Sequence, residues 1–210
     1  MSSVAPEEAQ RLLAMDEQLR CEADRMLSES GLGPIIAEAG YKPVGSYSMR
    51  TMTWRDLDFD RTQEPPDWGD HWDFGRKLAE TGWPWRQVCV DAYRDPRAPG
   101  EKGLYWGLRV APPGGGETWK LDLLTARADE FVTGPRERWQ AAMTEEHRLH
   151  ILSIKDAVCK RPEYRHTLLS VHVYEAVLER GIEGLDEFMD WWPRRIEEKP
   201  PPPPKSLAGD

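Results

Sequence analysis

The chain has 210 residues, enough for one domain, or one and a half, to bury a core without disulfides or structural metals. Acidic residues outnumber basic ones by 37 to 28, and the formal net charge of -9 disfavours long nucleic acids, which are held mainly through their phosphates. Cys21, Cys89 and Cys159 form no paired metal motif and are expected to be reduced thiols. No apolar run is long enough for a membrane helix, and the first residues lack a signal-peptide pattern, so the cytoplasm is the expected location.

The first 127 residues contain both helical and strand patterns. Apolar residues at every second position, as at Trp119, Leu121 and Leu123, indicate a strand that buries one face. The predicted elements are a helix over 6–30, a short helix over 35–39, a strand over 41–47 that enters a turn at Gly45-Ser46, a strand over 56–60, a helix over 68–81, and strands over 87–93, 104–111 and 118–124. Glycines within 112–116 predict a hairpin between the last two strands.

The rest of the chain has helical patterns over 137–147, 149–160, 164–180 and 185–196. These elements predict an α+β fold, in which a mixed β-sheet flanked by helices is followed by a C-terminal helical bundle. The expected domains are 1–127 and 128–198. The remaining residues, 199–210, include Pro200 to Pro204 and are expected to form a flexible tail.

The clearest chemical signal is the acid pair in Asp56-Leu57-Asp58-Phe59. Side chains alternate in direction along a strand, so Asp56 and Asp58 point to one face while Leu57 and Phe59 point into the core. Two neighbouring carboxylates repel each other unless a cation compensates them, and Mg²⁺ prefers oxygen ligands. The pair is therefore a candidate metal site.

A Gly-Ser turn precedes this pair, with nine residues between Ser46 and Asp56. Gly45 has no side chain to obstruct a phosphate, and backbone N–H groups with the Ser46 hydroxyl are suitable donors to phosphate oxygens. Arg50 lies between the turn and the acids and adds a positive charge for nucleotide binding. For phosphoryl transfer, two metal ions about 3.5 to 4 Å apart hold the attacking and leaving oxygens in line.

Such a site needs a third acid, and Asp122 is the candidate because it interrupts an apolar strand pattern. Lys120 shares its face by alternation, so it is expected either to neutralise Asp122 or to contact a nucleotide phosphate. Asp91 is the main competitor for the third position. Asp60 is a weaker one, because it shares the face of the acid pair but is next to Arg61.

The order and spacing of these residues resemble the nucleotidyltransferase superfamily of the DNA polymerase beta type, over about residues 41–124. The resemblance implies a nucleotidyltransferase-like sheet, in which Gly45 and Ser46 hold the nucleotide phosphates. It also implies that Asp56 and Asp58 bind metal, while Asp122 completes the metal site or acts as the base. A long insertion between Asp58 and Asp122 departs from the family pattern and leaves Asp91 open as the third acid.

By this resemblance, the chain is expected to be a cytoplasmic Mg²⁺-dependent enzyme. It would transfer a nucleoside monophosphate from an NTP, with ATP among the candidates, to a hydroxyl of a small acceptor and release pyrophosphate. The similar enzymes are antibiotic-resistance enzymes that modify aminoglycosides or lincosamides. An acidic protein suits a polycationic acceptor of this kind.

Two alternatives stay open. A toxin-like or regulatory nucleotidyltransferase would act on a protein or a tRNA, and the latter needs a basic stripe from Arg194, Arg195 or Arg136 and Arg138. A catalytically silent nucleotide-binding module is the other alternative, and the intact acid pair weighs against it. A homodimer is compatible with the sequence, with Trp191-Trp192 expected to be exposed for such a contact.

Overall fold

The structure, a computed structural model, describes residues 4–95, 102–131, 136–164 and 166–198, apart from the side chains of residues 136 and 137. The elements are α1 (Pro6–Glu29), α2 (Leu32–Glu38), β1 (Lys42–Val44), α3 (Gly45–Ser48), β2 (Asp56–Thr62), α4 (Trp68–Glu80), β3 (Pro84–Asp91), β4 (Leu104–Val110), β5 (Trp119–Ala126), a 3-10 turn (Ala128–Glu130), α5 (Arg136–Ala142), α6 (Glu145–Val158), α7 (Ser170–Arg180) and α8 (Leu185–Glu198). They confirm the predicted α+β class. The proline run from Pro200 to Pro204 lies outside the described residues.

The five strands form one mixed sheet in the order β1-β2-β5-β4-β3. Strands β4 and β5 are antiparallel neighbours, as the predicted hairpin requires, and β3 pairs antiparallel with β4. Strand β1 is antiparallel to β2, whereas β2 and β5 are parallel. The parallel pair lies in the middle of the sheet and joins two strands that are far apart in sequence.

Helix α4 packs on one face of this sheet. Asp67 caps its first turn by accepting a hydrogen bond from the Asp70 N–H at 2.7 Å. A Cβ on Gly75 would lie 2.1 Å from the Trp106 ring, so the glycine lets the helix approach strand β4 closely. The Trp106 indole N–H also donates to the carbonyl oxygen of His71 at 3.0 Å. These contacts pack helix α4 against the apolar face of the sheet.

The described residues divide into two compact units. Of these residues, the sheet unit comprises 20–48, 55–95 and 102–131, and the helical unit comprises 4–19, 49–54, 136–164 and 166–198. Residues from helices α6, α7 and α8, such as Ile151, Val173 and Phe188, form the buried core of the helical unit. Among the described residues, no helix combines the length and the apolar character that crossing a bilayer demands.

Some predicted boundaries move. The helix expected over 137–147 is divided, because Thr144 caps α6 by accepting a hydrogen bond from the His147 N–H at 3.1 Å. Strand β3 starts at Pro84, which an edge strand tolerates as its first residue. The expectation that Trp191 and Trp192 are exposed is wrong, because both are half-buried against the helical core.

Candidate active site

The parallel strands β2 and β5 place charged side chains next to one another. Asp58 lies opposite Asp122 in the register, and Asp56 lies opposite Lys120. Because side chains alternate along a strand, these four share one face of the sheet, whereas the intervening Leu57 is buried on the other face. The register therefore assembles a charged cluster from two strands, whereas the alternation in each strand predicted only which of its own residues share a face.

Asp56, Asp58 and Asp122 form a compact triad of carboxylates. Each offers one oxygen, and these oxygens lie within 4.8 Å of one another. The side chains of Asp56 and Asp122 retain only 15% and 12% of their exposure, so water screens their repulsion incompletely. Carboxylate oxygens are the hard donors that Mg²⁺ prefers. The three residues therefore fit a divalent cation, and their role as its ligands stays a prediction.

Lys120 lies inside this cluster. Its ammonium nitrogen is 2.9 Å from Asp56 Oδ1 and 2.6 Å from Asp122 Oδ2. Burial by itself would lower the pKa of Lys120, but the neighbouring carboxylates, first Asp56 and then Asp122, outweigh burial and hold that pKa above its ordinary value. Lys120 is thus a charged bridge between two acids, and one ammonium among three carboxylates leaves the cluster negative.

The Gly-Ser turn lies beside the triad. Gly45 has a φ of 64°, in the left-handed region that favours glycine. A Cβ at this position would lie 2.8 Å from Asp58 Oδ2, so a glycine is needed for the backbone to approach the carboxylate. Ser46 follows it within α3, so the short helix, and not an extended strand, carries the predicted phosphate-binding residues. Phosphate binding by Gly45 and Ser46 stays a prediction.

Arg50, the predicted partner of the nucleotide, belongs to the helical unit and not to the sheet unit. Its guanidinium lies 3.8 Å from the Glu17 carboxylate, and its side chain is more than half exposed. Its role in nucleotide binding stays a prediction.

Tyr105 is a site residue that the sequence reasoning missed. Its hydroxyl donates a hydrogen bond to Asp122 Oδ1 at 2.8 Å, and burial first, then the Asp122 charge, raises its pKa above the ordinary value. A Cβ on Gly107 would lie 2.5 Å from that hydroxyl, so Gly107 makes room for the ring. The signal was the alternation in strand β4, which puts Tyr105 on the face opposite to the buried Trp106.

The two competing acids have different surroundings. Asp91 pairs with Leu104 in the register, whereas Asp122 pairs with Gly107, so Asp91 and Asp122 point to opposite faces of the sheet. The Asp91 carboxylate accepts a hydrogen bond from the Tyr93 N–H at 2.9 Å. Asp60 shares the face of the acid pair but is not part of the compact triad. Asp122 is thus the third acid that the geometry brings to the pair.

The sequence matches no protein-family model and no curated protein. Among solved structures, the chain is similar to Cid1 in complex with its short product ApU, with 12% identity, a TM-score of 0.48 and coverage of 83% of this chain and 49% of that one. A further structure of Cid1, which has RNA terminal uridylyl transferase activity, is 13% identical with a TM-score of 0.44. The match covers 85% of this chain and 48% of that one. A cytoplasmic RNA terminal U-transferase has 11% identity, a TM-score of 0.39 and coverage of 72% and 41%. The chain thus spans less than half the length of each of these structures.

Proposed function

We propose that the chain is a metal-dependent nucleotidyltransferase related to the DNA polymerase beta type. The observation that carries the proposal is the triad of Asp56, Asp58 and Asp122 on two parallel strands, with the Gly45 turn packed against Asp58. In the reaction, an acceptor hydroxyl oxygen bonds to the α-phosphorus of an NTP. The bond from that phosphorus to the bridging oxygen breaks, pyrophosphate leaves, and the hydroxyl proton passes to a base.

The triad supplies the oxygen ligands in this proposal. A bound Mg²⁺ pair would polarise the phosphate and compensate the charge that develops during transfer. Asp56 and Asp58 approach the site from strand β2 and Asp122 from strand β5, and the sheet holds all three without loop movement. Gly45 and Ser46 would hold the triphosphate beside Asp58 through their backbone N–H groups and the serine hydroxyl.

The contacts of Asp122 favour a ligand role over that of a general base. Tyr105 donates to its Oδ1, and Lys120 donates to its Oδ2. Hydrogen bonds to a carboxylate stabilise its charged form, and they fix its orientation as a ligand's supporting contacts do. In the proposal, Tyr105 positions Asp122, Lys120 compensates the Asp122 charge in the nucleotide-free protein, and the acceptor proton goes to another base.

The acceptor is the open part of the proposal. A small hydroxyl-bearing acceptor, such as an aminoglycoside or lincosamide, is the expectation from the sequence. A protein or a tRNA end is the alternative acceptor expected from the sequence. The similar solved structures include an RNA terminal U-transferase and a protein with RNA terminal uridylyl transferase activity. In the helical unit, Arg138 and Arg195 are paired with Glu179 and Glu175, which neutralises part of the basic stripe that a tRNA would need.

Calorimetric titration tests nucleotide binding without knowledge of the acceptor. Each of the four NTPs, with Mg²⁺, is titrated into the wild type and the double variant Asp56→Ala, Asp58→Ala. We expect Mg²⁺-dependent binding of at least one NTP that the double variant loses. Asp73→Ala is the matched control, because Asp73 is an exposed acid on helix α4, and it should bind like the wild type. Folded wild type that binds no NTP contradicts the proposal.

Incubation with NTPs labelled at the α-phosphate then distinguishes the acceptors. One set of reactions contains an RNA oligonucleotide with a free 3′ hydroxyl, and another contains aminoglycosides or lincosamides. Label that moves onto the RNA assigns a nucleic acid acceptor, and label on a small molecule assigns the alternative. In either case, release of pyrophosphate must match the label transferred, because the two come from one bond cleavage.

A further inference from the structure

The ammonium of Lys120 occupies a position where a cation would be expected. It lies 2.9 Å from Asp56 Oδ1 and 2.6 Å from Asp122 Oδ2, and these two residues belong to the triad that fits a metal. A divalent ion that takes the same oxygens would approach them to about 2.0 to 2.6 Å. Two positive charges cannot share this space at low cost, since the side chains are largely withdrawn from water.

We infer that Lys120 acts as an internal cation that excludes the divalent metal until a nucleotide arrives. This inference rests on the proposed function. In the nucleotide-free protein, Lys120 bridges Asp56 and Asp122 and must be displaced before a metal can bind both. The displacement breaks two charge-assisted hydrogen bonds, so the free protein binds the metal weakly.

A nucleoside triphosphate removes this obstacle. Its phosphate oxygens can accept the hydrogen bonds of the Lys120 ammonium, so the lysine exchanges carboxylate partners for phosphate partners when the metal enters. The four-carbon stem of a lysine is flexible, so the compact ammonium group can make such a movement. Metal and nucleotide therefore favour each other's binding, and by thermodynamic linkage the coupling is reciprocal. In this scheme Lys120 holds the carboxylates in the free protein and contacts the nucleotide phosphate in the complex.

Mn²⁺ binding to the full chain tests the inference directly. Mn²⁺ is the probe because its free and bound forms are distinguished by electron paramagnetic resonance, independently of activity. It is titrated into the wild type and Lys120→Met, first alone and then with a non-hydrolysable NTP analogue. Lys77→Met is the matched control, because Lys77 is an exposed lysine at the end of helix α4.

Without nucleotide, we expect Lys120→Met to bind Mn²⁺ about 10-fold more tightly than the wild type and Lys77→Met, within the usual range of such coupling. The NTP analogue should strengthen Mn²⁺ binding in the wild type by a larger factor than in Lys120→Met. Equal or weaker Mn²⁺ binding by Lys120→Met overturns the inference, because Lys120 would then be only a structural ion pair.

The outcomes separate this inference from the proposed function. Wild type that binds Mn²⁺ with the NTP analogue, and loses this binding in Asp58→Asn, supports the proposed function even where Lys120→Met shows no gain. Wild type that never binds Mn²⁺ at the triad contradicts both.

A second measurement applies if Lys120→Met does not fold without metal. Recovery of its folded state on addition of Mn²⁺, but not of K⁺, then supports the inference. Lys120→Gln, whose amide can still donate to one carboxylate, should then fold without metal and bind Mn²⁺ more tightly than the wild type. A Lys120→Gln affinity equal to that of the wild type overturns the inference.

Discussion

Each compact unit contains a cluster of charged side chains, and the two clusters are built differently. In the sheet unit, three carboxylates converge around one ammonium and keep part of their exposure. In the helical unit, Asp16 is fully buried and pairs with the Arg148 guanidinium at 2.8 Å. The first cluster has more acids than bases, whereas the second pairs one acid with one base at its centre.

Backbone contacts explain the difference. In the helical unit, Asp16 Oδ1 accepts from the Met52 N–H, Arg148 Nε donates to the Arg50 carbonyl, and Lys155 Nζ donates to the Thr51 carbonyl, each at 2.7 Å. These charges satisfy the backbone of the segment Met49–Trp54, which is a structural task. In the sheet unit, the carboxylates face one another, and Lys120 compensates only part of their charge. The buried charges of the helical unit are thus explained by the backbone groups that they satisfy, whereas the crowded carboxylates of the sheet unit fit a cation.

Asp58→Asn should abolish most of the activity and leave the fold stable. It removes one negative charge from the triad and weakens metal binding, and we expect nucleotidyl transfer to fall about 1,000-fold. The free energy of unfolding should stay level or rise, because the substitution relieves repulsion among the carboxylates. Label transfer and urea unfolding measure the two quantities. A large loss of stability would show that the triad is structural.

Asp16→Ala should have the opposite effect. It removes the buried carboxylate partner of Arg148 and leaves only that of the exposed Glu145. Breaking such a buried pair costs about 3 to 5 kcal/mol of unfolding free energy. Urea unfolding measures the loss. Glu17→Ala is the matched control, because Glu17 is the next acid on helix α1 but is exposed. The free energy of unfolding of this variant should stay within about 0.5 kcal/mol of the wild type. A comparable loss in both variants would contradict a special role for the buried pair.

Both units should lose stability in acid, through one buried histidine each. Burial, and then the charge of Arg195, lowers the pKa of His172 in the helical unit from 6.5 to about 4. Burial, and then the charge of Arg61, does the same to His71 in the sheet unit. The unfolded chain therefore takes up protons that the folded chain refuses, and stability present above pH 6.5 is lost as the pH falls towards about 4.

Between about pH 7.5 and pH 5, each histidine should lower the free energy of unfolding by about 2 kcal/mol. Urea unfolding at the two pH values measures the sum for the wild type. His172→Gln should remove the helical unit's contribution to this pH dependence. The Leu169 N–H donates to His172 Nδ1 at 3.2 Å, and the glutamine side chain keeps an acceptor for it. An unchanged pH dependence in this variant would contradict the assignment to His172.

Gly107→Ala tests the support of the triad and should lower activity less than Asp58→Asn does. The new methyl group would lie 2.5 Å from the Tyr105 hydroxyl and push it away from Asp122. We expect about a 10-fold loss of activity, as for other contacts that orient metal ligands. The free energy of unfolding should fall by about 1 to 3 kcal/mol, because the methyl group overpacks the site. Tyr105→Phe is the companion variant, because it removes the hydroxyl and keeps the ring. Wild-type activity in both variants would exclude a role for Tyr105.

Local patterns in the sequence predicted most elements of the sheet unit. Alternation identified strands β2, β4 and β5, because a strand with one buried face repeats every two residues whatever its neighbours are. It also put Asp56 and Asp58 on one face. The helical half was predicted less closely at its boundaries: the pattern over 164–180 extended the helix back to Tyr164, whereas α7 begins at Ser170. A helical pattern can continue past the point at which tertiary contacts end the helix.

The sequence by itself determined which residue types were available: an acid pair, a Gly-Ser turn before it, and an isolated acid with a lysine two positions earlier. Only the tertiary structure decided that Asp122, and not Asp91, joins the pair, because this depends on β5 pairing with β2 in register while β3 lies at the sheet edge. The placement of Arg50 in the helical unit and the contact of Tyr105 with Asp122 were decided in the same way. Strand pairing joins residues far apart in the chain, so its outcome reflects the packing of the whole sheet and leaves no local pattern in the sequence.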